Sequence, residues 1–379
     1  MATQTDFRDG SYFRGKVEVF ISLRRLFVLS TFVFMSISTA RAQKQSLWQP
    51  LATFPGPSRE ATIVAAGQKV YMFTGQGTGY VPLGLVYEYD PAKNMWTEKN
   101  RMPLPSHHNA IVEYNGKVYF FGGFRAPATG QLGWEPIDNS WEYDPKTDTW
   151  KALKPSPSKR GAGSVAVVNG KAYYMGGLAV HPGMKNASVN NGFPDLPRRS
   201  VTTVEEYDFA SNSWRERNPM PTPRHHFVVA AVSGKIYALG GRQGFLSNSV
   251  GYTDAVEEYD PAADLWSAAK TRMPVAREAM AFGVYDGRLF IIGGGLRAAF
   301  SSFESVRAVD VYEPATDQWF ALPSVPAGRE PIAAAVIGDT LYLLSNDGIN
   351  RLPGGTAGKM PSESQPIPFD SIRLSNFFR

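Results

Sequence analysis

The stretch AIVEYNGKVYFFGG, residues 110–123, decides the fold of this chain. Ala110–Tyr114 is predicted as a short strand, and Asn115-Gly116 as a two-residue hairpin turn, because both residues tolerate positive φ. The chain returns over Lys117–Phe121 and ends that strand at Gly122-Gly123. A loop follows, then a third strand ending in WEYDP at residues 141–145, a turn and a fourth strand entered at Trp150. The unit therefore consists of four short strands.

The same order of signals recurs along most of the chain. Further hairpin turns are predicted at Asn169-Gly170, Ser233-Gly234, Asp286-Gly287 and Gly338-Asp339. The glycine pair recurs at Gly176-Gly177, Gly240-Gly241 and Gly293-Gly294, with degenerate copies expected at Gly75-Gln76 and Ser345-Asn346. Tryptophans recur at intervals of 48 to 64 residues, at Trp48, Trp96, Trp150, Trp214, Trp266 and Trp319. A period of about fifty residues indicates one supersecondary unit per repeat, and such units bury their faces by stacking on neighbours.

Paired glycines, a tyrosine a dozen or more residues later and then a tryptophan resemble the Kelch motif. The resemblance covers residues 46–352 in six copies, and it implies an all-β fold, a six-bladed Kelch-type β-propeller. The last repeat has strands near residues 332–337 and 340–344, with a third expected at 348–352, but no tryptophan strand of its own. We therefore expect the N-terminal strand near Trp48, within Leu47–Ala52, to join the last blade and close the ring. Such closure removes open strand edges.

The first 42 residues resemble an export signal. Arg24-Arg25 precede the apolar run of residues 26–38, and Ala40-Arg41-Ala42 has the small-x-small form of a cleavage site. The run is shorter than the about 20 residues that a bilayer span needs. We expect an export signal over 1–42, the propeller over 43–352 and a Pro/Gly/Ser-rich tail over 353–379, with Phe369 and Phe377-Phe378 against the outer face.

This organisation predicts a location as well. The protein would be exported, to a periplasm or outside the cell, with no stable membrane span after signal cleavage. An uncleaved signal would instead serve as a membrane anchor.

Composition narrows the function. The chain has no cysteine, which excludes disulfides, thiolate metal sites, cysteine nucleophiles and the Tyr–Cys crosslinked copper radical of galactose oxidase, an enzyme with a Kelch-type propeller. The net charge of +5 falls to +2 without residues 1–42. No Lys/Arg run with interleaved aromatics is present, so nucleic acid is not an expected partner. We expect a monomer with no metal ion and no cofactor.

Aligning the repeats on their glycine pairs superposes residues at the start of the innermost strands, which would line one mouth of the channel. The first ring position holds Arg59, Ser106, Arg160, Arg224, Arg277 and Arg329. Five arginines would create a focused positive potential that attracts carboxylates or phosphates. Alternatively, arginines at this place pair with the glutamate of a Glu-Tyr-Asp element and only orient the blades. Those glutamates are Glu88, Glu142, Glu206 and Glu258.

The second ring position holds Glu60, His107, Gly161, His225, Glu278 and Glu330. The third position adds His108 and His226. Because adjacent residues of a strand point to opposite sides, each histidine pair should offer only one side chain to a given direction. His107 and His225 with the three glutamates would form a cluster suited to a metal ion or to proton transfer. Repetition of the motif alone also explains these histidines.

The loops after the glycine pairs should overhang the same mouth. Blade 3 carries an insertion over residues 178–201 that we expect to act as a lid or specificity loop, since loops longer than about 12–15 residues are usually functional or disordered. Loops 124–138 and 242–254 would complete the wall. They offer Trp134 and Phe245 for stacking on a sugar or peptide, and Arg242 for positive charge.

These observations predict a binding module rather than an enzyme, because no nucleophile elbow, phosphate loop or zinc signature is present. The Kelch resemblance implies recognition of an acidic peptide, an acidic protein or a carbohydrate, since several such propellers grip acidic peptides through arginines at this end. The predicted ligand-binding residues are Arg59, Arg160, Arg224, Arg242, Arg277, Arg329, His107, His225, Glu60 and Glu278.

An enzyme is the alternative. Exported six-bladed Kelch-type proteins include mutarotases of N-acetylneuraminate, so the resemblance also allows a mutarotase or epimerase of an acidic sugar. An Arg/Glu/His mouth would be able to clamp a carboxylate and move a proton.

Overall fold

Six four-stranded antiparallel sheets, one for each repeat, make up most of the described part of the chain. The structure is a computed structural model that describes residues 47–56, 60–77, 81–126, 134–180, 189–190, 193–194, 198–244, 249–297, 303–347 and 367–378. The sheets are numbered as blades 1 to 6 in chain order, and the strands of each blade are given from the innermost outward.

The strand bounds repeat closely from blade to blade. Blade 1 consists of Thr62–Ala66, Lys69–Phe73, Val86–Asp90 and Met95–Lys99. Blade 2 consists of Ala110–Tyr114, Lys117–Phe121, Ser140–Asp144 and Thr149–Ala152, and blade 3 of Ser164–Val168, Lys171–Met175, Val204–Asp208 and Ser213–Arg217. Blade 4 consists of Val228–Val232, Lys235–Leu239, Val256–Asp260 and Leu265–Trp266, and blade 5 of Ala281–Tyr285, Arg288–Ile292, Val309–Glu313 and Gln318–Leu322. Blade 6 consists of Arg329–Ile337, Thr340–Asp347, Phe369–Arg373 and Gln49–Pro50.

The first strand of every blade lies innermost, where it contacts the first strands of the two neighbouring blades. These contacts run round all six blades, because Thr62–Ala66 of blade 1 also contacts Arg329–Ile337 of blade 6. The apolar core lies between adjacent blades. The cluster between blades 6 and 1, for example, buries Val70, Tyr89 and Leu344. The predicted all-β, six-bladed propeller is confirmed.

In each of blades 1 to 5, the tryptophan of the fourth strand belongs to a clamp on the preceding blade. In blade 3, Tyr207 Oη donates to Asn212 Oδ1 at 2.7 Å, and the same oxygen accepts from the Lys154 N–H at 2.9 Å. Trp214 Nε1 then donates to the Lys154 carbonyl at 2.9 Å. Asn212 has a φ of 49°, a left-handed conformation that Asn and Asp adopt more readily than most residues. Trp96, Trp150, Trp266 and Trp319 make the equivalent bonds to Ala52, Asn100, Asn218 and Thr271.

The last blade combines both ends of the described chain. Phe369–Arg373 pairs with Thr340–Asp347 as the third strand, and Gln49–Pro50 pairs with Phe369–Arg373 at the outer edge. Ala52, two residues beyond that edge strand, is the residue that blade 1 clamps: its N–H donates to Asn94 Oδ1 at 2.7 Å.

This arrangement corrects the predicted C-terminal tail. The third strand of blade 6 lies within residues 353–379 rather than at 348–352, because Phe369 and Ile372 are buried in the apolar clusters on either side of the blade. The 3₁₀ helix Leu374–Phe377 follows it, and Phe377 and Phe378 pack against the cluster between blades 5 and 6. Residues 348–366 lie outside the described part of the chain.

The glycine pairs are needed where neighbouring blades approach closely. Gly122 has a φ of 58°, and a Cβ there would lie 2.3 Å from the Arg160 carbonyl oxygen of blade 3. Gly123 donates its N–H to that same oxygen at 2.9 Å. Any side chain at Gly122 would therefore push blades 2 and 3 apart.

Blade 1 departs from the predicted alignment by one residue. Phe73 pairs with Thr62 as Phe121 pairs with Ala110, so the degenerate glycine pair is Thr74-Gly75 rather than Gly75-Gln76. Glu60 then corresponds to His108, and both have positive φ, at 53° and 54°. Glu60 therefore occupies the third ring position rather than the second.

Two-stranded ribbons follow the glycine pairs of blades 2 to 5 at the end of the channel where the inner strands begin. They are Phe124–Arg125 with Glu135–Pro136, Leu178–Val180 with Arg198–Ser200, Arg242–Gly244 with Ser249–Tyr252, and Gly295–Arg297 with Phe303–Ser305. Within the blade 3 insertion, Val189–Asn190 also pairs with Phe193–Pro194. The role of this insertion, residues 178–201, as a lid stays a prediction.

Among the described residues, no helix has the length and apolar character needed to cross a membrane. The predicted export signal, residues 1–42, lies outside them.

Candidate functional site

Three of the predicted ligand-binding arginines are completely buried within their blades. Arg160, Arg224 and Arg277 have 0% exposed surface. Their ion pairs are Arg160 with Glu205 at 2.6 Å, Arg224 with Glu257 at 2.7 Å and Arg277 with Asp310 at 2.6 Å. A guanidinium held in this way reaches a ligand only by leaving a buried carboxylate uncompensated, which is strongly unfavourable. The expected ring of ligand-facing arginines is therefore wrong for these three residues, which hold strands together.

The acidic partner stands one residue earlier than the sequence predicted. Asp370 occupies the equivalent register position in blade 6 and accepts from Arg329 Nε at 2.9 Å. In blade 2, Ser106 replaces the arginine and Trp141 replaces the acid. Arginine thus occurs where an acid faces it, as a structural ion pair requires. Arg329 is the most accessible of the four, with a side chain 28% exposed, and Arg59 lies outside the described residues.

The glutamates that the sequence offered as arginine partners lie on the opposite face of the third strands, because adjacent strand residues alternate. Glu88 accepts from Tyr71 Oη at 2.8 Å, and Glu142 accepts from Tyr119 Oη at 3.0 Å. Glu206 and Glu258 pair with basic residues on the outer side, at 2.8 Å from Arg215 and 2.9 Å from Lys270. They take no part in the channel mouth.

Both histidines of each pair join one polar cluster, contrary to the prediction that only one would. His108 and His226 have positive φ, at 54° and 52°, and this left-handed backbone breaks the alternation of a strand. His107 Nδ1 lies 2.5 Å from His108 Nδ1, and His225 and His226 make the same Nδ1 contact. Within each pair one Nδ1–H donates and the other Nδ1 accepts.

Backbone hydrogen bonds bring the two pairs together, although they belong to blades 2 and 4. Ala162 of blade 3 donates its N–H to the His108 carbonyl at 2.9 Å, and His226 donates to the Ala162 carbonyl at 3.0 Å. The rings of His108 and His226 then lie 4.8 Å apart. Glu60 approaches from blade 1, with Oε2 3.4 Å from His108 Nε2 and a side chain 48% exposed.

Charged residues from the ribbons complete the cluster. Arg242 of the blade 4 ribbon pairs with Glu278 of blade 5 at 3.1 Å. Arg198 of the blade 3 ribbon is buried with its guanidinium 4.7 Å from the ring centre of Phe124. Because His225 exchanges two backbone hydrogen bonds with Arg242, at 2.9 and 3.0 Å, the ribbon and the cluster are joined.

Aromatic and amide groups surround His107. The Trp134 ring lies 4.5 Å from the His107 ring, and Gln76 Nε2 donates to a His107 ring nitrogen at 3.1 Å. Trp134 is half-buried, so the predicted stacking residue does lie at the mouth. Phe245 is outside the described residues.

Three of the histidines are held in the neutral form. Burial, followed by the charges of His108, Arg198 and His226, lowers the pKa of His107 well below its usual value. Burial likewise lowers the pKa of His225 and of His226, and Arg242 and Arg198 act in the same direction on both. Burial and the charges of the arginines both disfavour the charged form of these rings, and a neutral imidazole has one N–H donor and one acceptor nitrogen.

We call this set the mouth cluster. Its members are Glu60, His107, His108, Arg198, His225, His226, Arg242 and Glu278. Five of the predicted site residues belong to it, and Arg160, Arg224, Arg277 and Arg329 do not. The sequence did not single out His108 and His226 as site residues, since nothing marks a histidine for positive φ, and it did not single out Arg198 within the insertion of residues 178–201. Glu330 is half-buried opposite Asn346 in blade 6.

Comparison with known proteins gives the family. A family profile described as KLHDC2/KLHL20/DRC7 Kelch-repeats domain matches residues 28–216, and one described as Kelch motif matches residues 223–272. The chain is 27% identical over 278 residues to Kelch-like protein terF of Aspergillus terreus, covering 71% of this chain and 57% of that protein. Alpha-scruin of Limulus polyphemus is 27% identical over 266 residues, covering 68% of this chain and 26% of that protein. This chain belongs to the Kelch-repeat β-propeller family.

This chain is shorter than its curated relatives. The chain spans less than two thirds of the length of these curated relatives. A solved structure titled Structure of YjhT superposes with a TM-score of 0.63 at 17% identity, covering 86% of this chain and 96% of the other, which shows a shared fold. Kelch propellers commonly mediate protein interactions.

Proposed function

We propose that this chain is a recognition module that binds an acidic segment of a partner protein at the mouth cluster. One observation carries the proposal: four histidines and two arginines from blades 2, 3 and 4 converge at one end of the channel, with Glu60 and Glu278 from blades 1 and 5. Residues from five blades meet at this place. A rigid scaffold that presents loop residues in this way is a common arrangement for binding sites.

The chemistry of the cluster supports a ligand that accepts hydrogen bonds. A neutral imidazole offers one N–H donor, and Arg198 adds a positive charge that favours a carboxylate, whereas the charge of Arg242 is offset by its pair with Glu278. His108 and His226 are the half-buried histidines of the set, so they are the ones within reach of a ligand. Acidic carbohydrate shares this chemistry and is the competing ligand class.

Binding is tested by calorimetric titration of the folded chain. An Asp/Glu-rich peptide, its Asn/Gln counterpart and N-acetylneuraminate are the probes. We expect saturable binding of the acidic peptide that weakens by at least about tenfold in His108→Ala and His226→Ala, because a hydrogen bond to a charged group contributes about 1.5–3 kcal/mol. Lys93→Ala is the control, since Lys93 is exposed on an outer turn of blade 1. Equal affinities in all variants would exclude the mouth cluster as the site.

The second candidate is a mutarotase or epimerase of an acidic sugar. The direct Nδ1 contact within each histidine pair favours it, because a pair that shares one hydrogen is suited to passing a proton. NMR measurement of anomer exchange in N-acetylneuraminate decides this point. Exchange at the uncatalysed rate rules the enzyme out and leaves the binding proposal standing.

Export of the chain is part of the proposal as well. Its support is the sequence of residues 1–42 alone. N-terminal sequencing of the protein recovered from its source cells tests it, with cleavage after Ala42 as the expected result.

A further inference from the structure

His225, His226 and Glu278 form a compact group on one side of the mouth cluster. One ligand-capable atom from each of these residues lies within 4.8 Å of those of the other two. We propose that this group binds one divalent transition-metal ion of the Zn²⁺, Cu²⁺ and Ni²⁺ class. Metal–ligand bonds of about 2.0–2.2 Å place two ligands of one ion about 4 Å apart at most, so small side-chain rotations are enough to close the site.

The fold holds the three side chains on fixed backbone. His225 exchanges two hydrogen bonds with Arg242, at 2.9 and 3.0 Å. Glu278 exchanges two with Gly295, also at 2.9 and 3.0 Å. Ala279 donates to the His226 carbonyl at 2.9 Å, which ties blade 5 to blade 4 at this point. A group built on ordered main chain from two adjacent blades loses little freedom when it binds an ion.

The nitrogen chemistry fits a metal. His225 has 0% exposed surface, and its Nε2 makes no hydrogen bond within the described residues. A buried polar atom without a partner is unfavourable and calls for an explanation.

The donor set selects the class of ion. Two imidazoles with one carboxylate suit the borderline transition metals, whereas Mg²⁺ and Ca²⁺ prefer oxygen ligands. Arg242 lies 3.1 Å from Glu278 Oε1, where it orients the carboxylate and also opposes the charge of an ion. We therefore expect an affinity below that of a dedicated structural zinc site.

The other histidine pair provides a matched control. His107 and His108 have the same backbone turn and the same Nδ1 contact. Glu278 lies in blade 5, which follows the His225-His226 pair, and it forms a bridge with Gly295. In blade 3, which follows the His107-His108 pair, Gly161 forms the equivalent bridge with Leu178. Blade 2 therefore has the pair without a carboxylate at this position, and the carboxylate beside it is that of Glu60 from blade 1, 3.4 Å from His108 Nε2.

The test is calorimetric titration of the metal-stripped folded chain with ZnCl₂, repeated with Co²⁺ to record its visible spectrum. We expect one ion per chain in the wild type and in His107→Asn, and affinity at least about tenfold weaker in Glu278→Gln and His225→Asn. Circular dichroism confirms that each variant is folded, and Glu278→Gln keeps the size of the side chain. Absence of stoichiometric binding, or equal affinity in Glu278→Gln and the wild type, overturns the proposal. The titration contains no other ligand, so its outcome is independent of the proposed function.

Discussion

His108 and His226 lie in blades 2 and 4, yet their rings are 4.8 Å apart. Ala162 joins them through two backbone hydrogen bonds, one to the His108 carbonyl and one from the His226 N–H. The contact exists because both histidines adopt positive φ and turn their rings back toward the channel end. Two blades that are not neighbours in the ring thus contribute to one polar cluster.

Glu60 should oppose an acidic ligand. Its carboxylate lies 3.4 Å from His108 Nε2 and is 48% exposed, so it places a negative charge beside the proposed site. We expect Glu60→Gln to bind an acidic peptide about two- to fivefold more tightly, in line with the about 0.2–1 kcal/mol of a partly exposed charge pair. Titration at two salt concentrations measures this, and the gain should shrink at high salt. A loss of affinity would mean that Glu60 itself holds the ligand.

His107 should make the fold sensitive to acid. Its pKa is lowered by burial and by His108, Arg198 and His226, whereas in the unfolded chain it returns to about 6.5. Below about pH 6.5 the unfolded chain therefore binds a proton that the folded chain does not, and the free energy of unfolding falls by up to about 1.4 kcal/mol per pH unit.

His107→Asn removes the contribution of His107 to this dependence, because asparagine does not titrate, while His225 and His226 keep theirs. Urea unfolding at pH 8, 6 and 5 compares the two proteins. The variant should lose less stability between pH 8 and 5 than the wild type. Identical losses would show that His107 is protonated in the folded state.

The buried Arg224–Glu257 pair should be essential to blade 4. Its atoms approach to 2.7 Å with 0% and 8% of the side chains exposed. Arg224→Met leaves the carboxylate buried without its counter-ion, so we expect the free energy of unfolding to fall by about 3–5 kcal/mol. The control is Arg272→Met, since the Arg272 side chain is 68% exposed and its pair should contribute about 0–1 kcal/mol. Similar losses in chemical denaturation of both variants would contradict a structural role for Arg224.

Gly122 and Gly234 provide a matched pair for the contact between blades. Both have positive φ, at 58° and 77°. A Cβ at Gly122 would lie 2.3 Å from the Arg160 carbonyl oxygen, but at Gly234 it would meet nothing within 4 Å. Gly122→Ala should therefore destabilise the protein well beyond the about 1–2 kcal/mol that the left-handed conformation alone costs an alanine. Thermal unfolding compares the two, and equal midpoints would show that the blades separate easily.

The sequence predicts the ring of six blades well because the repeated residues are the ones that make contacts between the blades. The paired glycines and the clamp of Tyr, Asn or Asp, and Trp each make a contact between neighbouring blades, so the order of these residues predicts the architecture. The third strand of blade 6 was misplaced because Phe369–Arg373 has no glycine pair or tryptophan close to it. Only its pairing with Thr340–Asp347 reveals it.

The site is predicted less well for two physical reasons. An arginine at a repeated position looks the same whether it faces a ligand or an acid such as Glu257, and only burial distinguishes the two. The positive φ of His108 and His226 accompanies the backbone hydrogen bonds that both residues make with Ala162 of blade 3. No local sequence pattern indicates these bonds. His107, His225 and Glu278 lie together in the mouth cluster because they recur at the ring position that the glycine pairs define.

A crystal structure of the folded chain soaked with an acidic peptide tests the central claim most directly. We expect a carboxylate of the peptide within hydrogen-bond distance of His108 or His226, over the mouth cluster. Density on the outer turns, or at the opposite end of the channel, would contradict it.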